Sequence, residues 1–515
     1  MIIKSKIVRD TVLLTAMQLF LDSAALLLNV FITKQMGASA IGILSLTGSF
    51  LGLAGILSNG NAFLCISRLV SEELGKKNGD PEGILGYGVR LCIIMSTAVS
   101  VTVFLLAEPI SIRFFSGAGM TAALRFMPAA LVTGAVSACL KGYFNACRRA
   151  AVTAASDITE FAVKASVIVI TTVVTGNITE GTVCGILIGS IIAGNCTSLL
   201  LLSIAYFILR EKRSGKCSLS FRQYTGYSFP IMGGSILTAV LSSTNDALIP
   251  VCLRQYGDSA GDAISKFGIF EGIVLPTLFF PSVVLCSMSG IIISEAARAR
   301  AAENSKRIRC FTERLKAWTL MFSVFSAAVL MRFGAEIGDI LGGGELAGRM
   351  ITIIAPVVPF IYMEIVLEAL IKGLGMQSFS SGNYLAEYII RIAAVLVLVP
   401  RIGFYGIVVS YYVSNIFGNC NRFIKVTKVT GAGRVLCGTL VYPVILAFVT
   451  MYAGEMFFVL TGTEKCSPLN MLFYGLIWGG AYFGIFSALG KVKLFSKCGV
   501  DFFSDCSQQN VSGML

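Results

Sequence analysis

The sequence predicts an all-α integral membrane protein of about fourteen transmembrane helices, arranged as two pseudo-symmetric six-helix lobes followed by two C-terminal helices. Three observations predict it. Of the 515 residues, 55% are hydrophobic and only 13% charged, about half the charge of an ordinary soluble chain, and the mean hydropathy is +0.81. Apolar windows of about 20 residues, the length that crosses a hydrocarbon core as a helix, recur almost without pause. An internal repeat relates the first six windows to the next six.

The windows run over 11–33, 39–66, 84–107, 122–146, 150–175, 182–209, 228–252, 264–292, 315–333, 349–372, 383–400, 404–424, 435–459 and 469–490. The first follows Lys4, Lys6 and Arg9 and ends near Ala38-Ser39-Ala40, which imitates a signal peptide. The run is too long for a signal core and its end has an internal copy, so it is expected to remain as a helix. The basic residues then set the orientation. Arg68, Lys76 and Lys77; Arg148 and Arg149; Arg210, Lys212, Arg213 and Lys216; seven residues between Arg298 and Lys316; Arg422, Lys425, Lys428 and Arg434; and Lys491, Lys493 and Lys497 all fall on one side. The other side holds Lys34, Arg113, Arg254, Arg332, Arg349, Arg401 and Lys465. By the positive-inside rule both termini lie in the cytoplasm, with a cytoplasmic tail over 491–515. The net charge of +13 is thus mainly topology, and no nucleic-acid partner is expected.

The repeat rests on three correspondences. Lys34-Gln-Met-Gly-Ala-Ser-Ala40 returns as Arg254-Gln-Tyr-Gly-Asp-Ser-Ala260, a shift of 220; Ser71-Glu72 returns as Ser294-Glu295, a shift of 223; Glu160 and Lys164 return as Glu387 and Arg391, a shift of 227. Six spans per copy give both copies the same orientation, so the symmetry axis runs along the membrane normal, a transporter design with its substrate site between the halves. The expected divisions are 1–220, 221–430, the two extra helices over 431–490, and the tail.

Composition also excludes chemistry. The chain has no histidine, which removes imidazole acid–base catalysis and imidazole metal sites. The 15 cysteines are scattered, without C-x-x-C spacing, and read as small core hydrophobes. No Asp-x-Asp or Asp-Asp-x-x-Asp cluster supports a membrane glycosyltransferase. The protein is expected to be no enzyme and to need no cofactor.

Ser67-Arg-Leu-Val-Ser-Glu-Glu73, Lys141-Gly-Tyr-Phe144, Asn245-Asp-Ala-Leu-Ile-Pro250 and Gly373-Leu-Gly375 resemble the multidrug/oligosaccharidyl-lipid/polysaccharide flippase superfamily, in particular its stage V sporulation protein B-like polysaccharide biosynthesis branch. The resemblance covers essentially the whole chain. It implies a flippase for an undecaprenyl-linked cell-wall or polysaccharide precursor in the cytoplasmic membrane, with a lipid-linked saccharide and membrane lipids as partners and a monomer as the expected state. Relatives continue Lys-Gly-Tyr-Phe into a glycine-rich turn; this chain has Asn145-Ala-Cys-Arg-Arg149 instead. A cation-coupled multidrug exporter of the same superfamily is the alternative.

Ionisable residues deep in a bilayer are functional candidates by default. Asp22, Asn245, Asp246 and Glu271 fall in predicted helices 1, 7 and 8, which would line a central cleft. Arg68, Arg90 and Lys141 are candidates for a lipid diphosphate on the entry side, and Arg254 and Lys266 on the exit side, since cationic donors suit phosphate. For each cation, snorkelling to the interface is the competing explanation. Glu364, Glu368 and Lys372 are four apart and share one helix face, with Glu364 about 12 Å below Lys372. Glu364 and Glu368 are the candidates for binding Na⁺ or H⁺; the competing explanation is that Glu368 pairs with Lys372 and Glu364 bonds a neighbouring helix. Glu160 with Lys164 and Glu387 with Arg391 read as structural pairs. Pro230, Pro250, Pro276 and Pro281 place flexible points in predicted helices 7 and 8. The two C-terminal helices either hold a polyprenyl tail or pad the bundle.

Overall fold

In the computed structural model the described residues are 2–74, 79–114, 121–175, 180–210, 219–432, 436–461 and 468–490. The 491–515 tail, Lys76, Lys77, Lys212, Arg213, Lys216, Arg434 and Lys465 lie outside them, as do the side chains of Lys4, Lys6, Arg9 and Arg113. The described residues of these windows fall almost entirely on helix, with breaks at 60–61 and 106. The helices are α1 (Ile2–Met36), α2 (Ala38–Asn59), α3 (Ala62–Leu74), α4 (Pro81–Leu105), α5 (Ala107–Phe114), α6 (Thr121–Ala146), α7 (Ala150–Thr175), α8 (Glu180–Leu209), α9 (Phe221–Tyr256) and α10 (Ala260–Ile269). They continue as α11 (Leu275–Phe279), α12 (Val283–Ala301), α13 (Ser305–Ile340), α14 (Gly344–Ile354), α15 (Val358–Gly373), α16 (Gln377–Ile402), α17 (Phe404–Thr430), α18 (Leu436–Thr461) and α19 (Pro468–Gly490). A π-helical turn, Phe270–Val274, joins α10 to α11, and a 3₁₀ turn, Phe280–Ser282, joins α11 to α12.

Nine helical stretches among the described residues are long and apolar enough to cross a bilayer, and two shorter apolar helices accompany them. Large apolar side chains such as Ile94, Phe104, Val173, Val174, Phe207, Ile208 and Leu476 are exposed, which is the expected surface where lipid replaces water. The protein is an all-helical, multi-pass membrane protein.

The local starts and stops follow from the sequence. Gly37 and Gly257, the equivalent glycines of the 220-residue repeat, both sit at positive φ, +86° and +121°. Each turns the chain between two helices, a conformation that costs glycine little. Ser259 caps α10 by accepting from the Asp262 N–H, Asp80 caps α4 ahead of Pro81, and Ser220 with Gln223 forms a capping box for α9. The window 39–66 is broken by Gly60, at φ +56°, so it forms α2 and α3 rather than one helix.

Helical packing divides the chain into two units. One comprises 1–272 with 395–404; the other comprises 273–394 with 405–515. In the first, Ile66, Cys139, Tyr143, Phe144 and Tyr224 are almost fully buried in one apolar core, and α10 lies tightly on α2. A Cβ on Gly42 would meet the Ile264 carbonyl oxygen at 2.1 Å, and one on Gly268 would meet the Gly42 nitrogen at 2.2 Å. In the second, α18 and α19 pack on α13 through aromatic side chains, three of which have their polar tips bonded. Trp478 donates to Thr450 Oγ1 at 2.9 Å, Tyr474 to the Met451 carbonyl at 3.0 Å, and Tyr482 to the Met321 carbonyl at 3.2 Å. Eight described cysteines carry free thiols, whereas Cys310 is disulfide-bonded.

Candidate functional site

The first unit holds all nine residues expected in the cleft. Asp22, half-buried on α1, accepts from Gln18 at 2.9 Å. On α9, Asp246 accepts from Ser49 of α2 at 2.6 Å, and its other oxygen accepts from the buried Asn245 amide at 3.2 Å. Ser243, one turn back, donates to the Ser49 carbonyl at 2.9 Å. In the turn after α2, Asn61 donates to Ser235 of α9 at 2.9 Å. Ser49 and Ser243 line a crevice of about 110 Å³ between α2 and α9, together with Leu46, Phe50, Leu53, Thr244 and Ala247. The structure therefore brings Asn245 and Asp246 together with two serines that sequence reading had not singled out.

The cations are distributed differently. Lys141 on α6 is mostly buried and bridges Asp157 at 2.7 Å and Glu160 at 2.9 Å on α7. Glu160 is thus a partner of Lys141 across helices, not only a neighbour of Lys164. Lys266 pairs with Asp258 at 2.6 Å. Arg68, exposed, pairs with Glu72 one turn on at 3.1 Å. Arg90 is exposed on α4 and lays its guanidinium over the Phe221 ring at 5.1 Å, leaving the edges of the fork available. Arg254 is exposed at the end of α9, and Glu271 is half-buried in the π turn.

The second unit contains the densest charge cluster among the described residues. Arg422 of α17 is fully buried and reaches three carboxylates: Glu364 Oε1 at 3.0 Å, Glu368 Oε2 at 3.4 Å and Glu387 Oε2 at 3.0 Å. The first two come from α15 and the third from α16. Its planar group also lies 4.6 Å from the Tyr384 ring centroid. Around this hub, Lys372 pairs with Glu368 at 3.5 Å, Ser380 donates to Glu368, and Arg391 pairs with Glu387 at 3.2 Å. Arg391 in turn donates to Ser414 at 2.9 Å and stacks against Tyr411 at 4.6 Å. A charge removed from water needs such pairing, and guanidinium supplies it because its fixed fork faces several oxygens at once. Room for it comes from Gly418, where a Cβ would lie 2.3 Å from Glu387 Oε2.

The spacing of Glu364, Glu368 and Lys372 was visible in the sequence; Arg422 was counted only among the basic residues that set topology. A signal for it exists, since Asn415, Gly418, Asn419 and Arg422 recur at helical spacing and interrupt an apolar helix along one face. Lys316 was missed in the same way. It is fully buried, bonded to Thr427 at 2.9 Å and 4.0 Å from the Phe423 ring centroid, where it holds the C-terminal turns of α17.

No protein-family model matches the chain. Stage V sporulation protein B of Bacillus subtilis (strain 168) is 21% identical over 417 residues, covering 77% of this chain and 79% of that protein. Among solved structures, the lipid II flippase MurJ in its inward closed conformation matches with a TM-score of 0.68 at 14% identity, covering 94% of this chain and 99% of MurJ. An inward-facing multidrug resistance MATE family transporter of the MOP superfamily matches with a TM-score of 0.63 at 14% identity, covering 81% of this chain and 96% of that one. The chain thus has the MATE/MurJ-like fold and is distantly similar to stage V sporulation protein B.

Proposed function

We propose that the protein is a flippase that carries a lipid-linked cell-wall or polysaccharide precursor, of the lipid II type, from the cytoplasmic to the outer leaflet of the cytoplasmic membrane by alternating access. The observation that carries this reading is the extent of the match. The MurJ structure covers 94% of the chain, whereas the MATE transporter covers 81%, and the added share is about that of the two C-terminal helices. The distant kinship to stage V sporulation protein B points the same way and suggests a role in sporulation.

The cleft on this reading is formed by Asp22, Asn245, Asp246 and Glu271, with Arg68, Arg90, Lys141, Arg254 and Lys266 as phosphate donors. Arg90 suits a diphosphate best, because stacking on Phe221 holds its plane while its N–H edges stay open for bidentate contact. Lys141 would exchange Asp157 and Glu160 for the substrate phosphate. Coupling falls to Glu364 and Glu368. The Arg422 guanidinium stands where a metal ion among the three carboxylates would stand, so a proton is favoured over sodium. Protonating Glu364 or Glu368 would weaken its hold on Arg422 and loosen α15 from α17.

Complementation tests the function. In cells depleted of their own lipid II flippase, the protein is expected to restore growth and to return lipid II to the outer leaflet. Growth arrest with lipid II retained inside, while the protein is present in the membrane, overturns this substrate. A drug-resistance phenotype that depends on Glu364 would favour the exporter instead.

A further inference from the structure

The chain passes from one packed unit to the other between Gly272 and Ile273, inside the π turn Phe270–Val274. Adjacent residues there pack into different surroundings. A Cβ on Gly272 would strike Ile41 of α2 at 2.2 Å, while Ile273 packs on Gly343 in the turn before α14, 3.1 Å from where a Cβ on Gly343 would sit. The backbone ladder is also weakened on both sides of Pro276 and Pro281, because proline has no N–H to offer the carbonyl one turn earlier. Inside a bilayer such a carbonyl must still be satisfied, and at Gly272 a side chain does this, while further side-chain bonds tie the neighbouring carbonyls. Asn29 of α1 donates to the Gly272 carbonyl at 2.9 Å, which is the carbonyl four residues before Pro276. Thr277 donates to Ile273 at 2.6 Å, Tyr362 of α15 to Leu278 at 2.9 Å, and Ser282 to Phe279 at 2.7 Å. One catch therefore ties this stretch to the first unit and another ties it to the second.

We propose that residues 270–282 are a hinge, in which the π turn and the two prolines let α10 and α12 change angle while Asn29 and Tyr362 hold the two ends to their own units. π turns and prolines are the breaks in a helix that permit such bending at low cost, and hinge residues need only a few dihedral changes to reorient large bodies. The Asn29 bond supplies the donor that Pro276 cannot, without fixing the helix direction, so the Gly272 carbonyl stays satisfied in more than one geometry.

The test needs no substrate, so its outcome is separate from that of the flippase reading. The full chain, with its reactive cysteines replaced, is spin-labelled at Arg254→Cys and Arg349→Cys, both exposed and one in each unit, and interspin distances are measured in lipid nanodiscs. The expected wild-type result is two distance populations. Pro276→Ala, which restores the backbone donor, is expected to collapse them to one. Asn29→Leu and Tyr362→Phe, which leave the helix backbone untouched, are each expected to change the population ratio at least threefold, and they carry the test where Pro276→Ala does not fold. The same distances in the same proportions in wild type and in every folded variant overturn the hinge.

Discussion

Arg422 shows how a charge can be the centre of a membrane protein's interior. It is fully buried, and its three N–H-bearing nitrogens each face a different carboxylate. Taking it away leaves three acidic groups facing one another without their shared counter-charge. Breaking a buried ion pair by removing one partner costs about 3–5 kcal/mol, so Arg422→Gln is expected to lower stability by that order, measured as thermal or denaturant unfolding in nanodiscs. Arg422→Lys keeps the charge but not the fork, and is expected to lose a large part of the same stability. Combining Arg422→Gln with Glu387→Gln should cost less than the separate losses together, because the second change removes one of the acids that had shared Arg422. If both single variants unfold like wild type, the hub is not structural. At this scale the sequence was half legible. The carboxylates announced themselves through four-residue spacing, whereas Arg422 sits 35 residues from its partner Glu387, and only the fold brings such partners together.

Among the elements, the contact of α2 with α10 is the most demanding. Gly42 and Gly268 bring the two backbones so close that no side chain larger than hydrogen fits without displacement, the kind of packing that small residues permit between helices in lipid. Gly268→Val is expected to separate the two helices and to stop the first unit from adopting this packed arrangement. The change reads out as strong reactivity of an Ile41→Cys probe, at a site only 1% exposed here, towards a water-soluble thiol reagent. An unreactive Ile41→Cys in the Gly268→Val background would show that the contact tolerates the added methyl groups. Helix positions were legible because each apolar window has bilayer length. Their ends were less so: α13 extends over Ser305–Ile340, well beyond the apolar 315–333, because charged turns continue the helix without contributing to hydropathy. The short α5 was missed for the opposite reason, since eight residues of mixed polarity, Ala107–Phe114, carry no hydropathy signal. Pro276 and Pro281 marked the bend, but the π turn beside them has no signature in residue type.

For the molecule as a whole, the all-helical, multi-pass character was readable from hydropathy, and some positions of the internal repeat share a local feature. Gly37 and Gly257 both take a positive φ between two helices, although their ψ angles differ, 168° against 5°. Gly194 of α8 abuts Glu160, and Gly418 of α17 abuts Glu387, so the repeated acid lies against a glycine of the following long helix each time. The grouping of helices by packing was not readable, because it depends on side-chain contacts such as Ser49 with Asp246, made by residues 197 apart that carry no pairing code in the sequence. The central claim is that this fold, with its cationic donors, moves a lipid diphosphate across the membrane. The purified full-length protein, reconstituted in vesicles containing fluorescent lipid II, tests it most directly through the fraction of label that a membrane-impermeant quencher can reach. The account predicts that label initially sheltered in the inner leaflet becomes accessible, and that Arg90→Ala with Lys141→Ala slows this at least tenfold in folded protein. Label that stays sheltered, at the rate of protein-free vesicles, would contradict it.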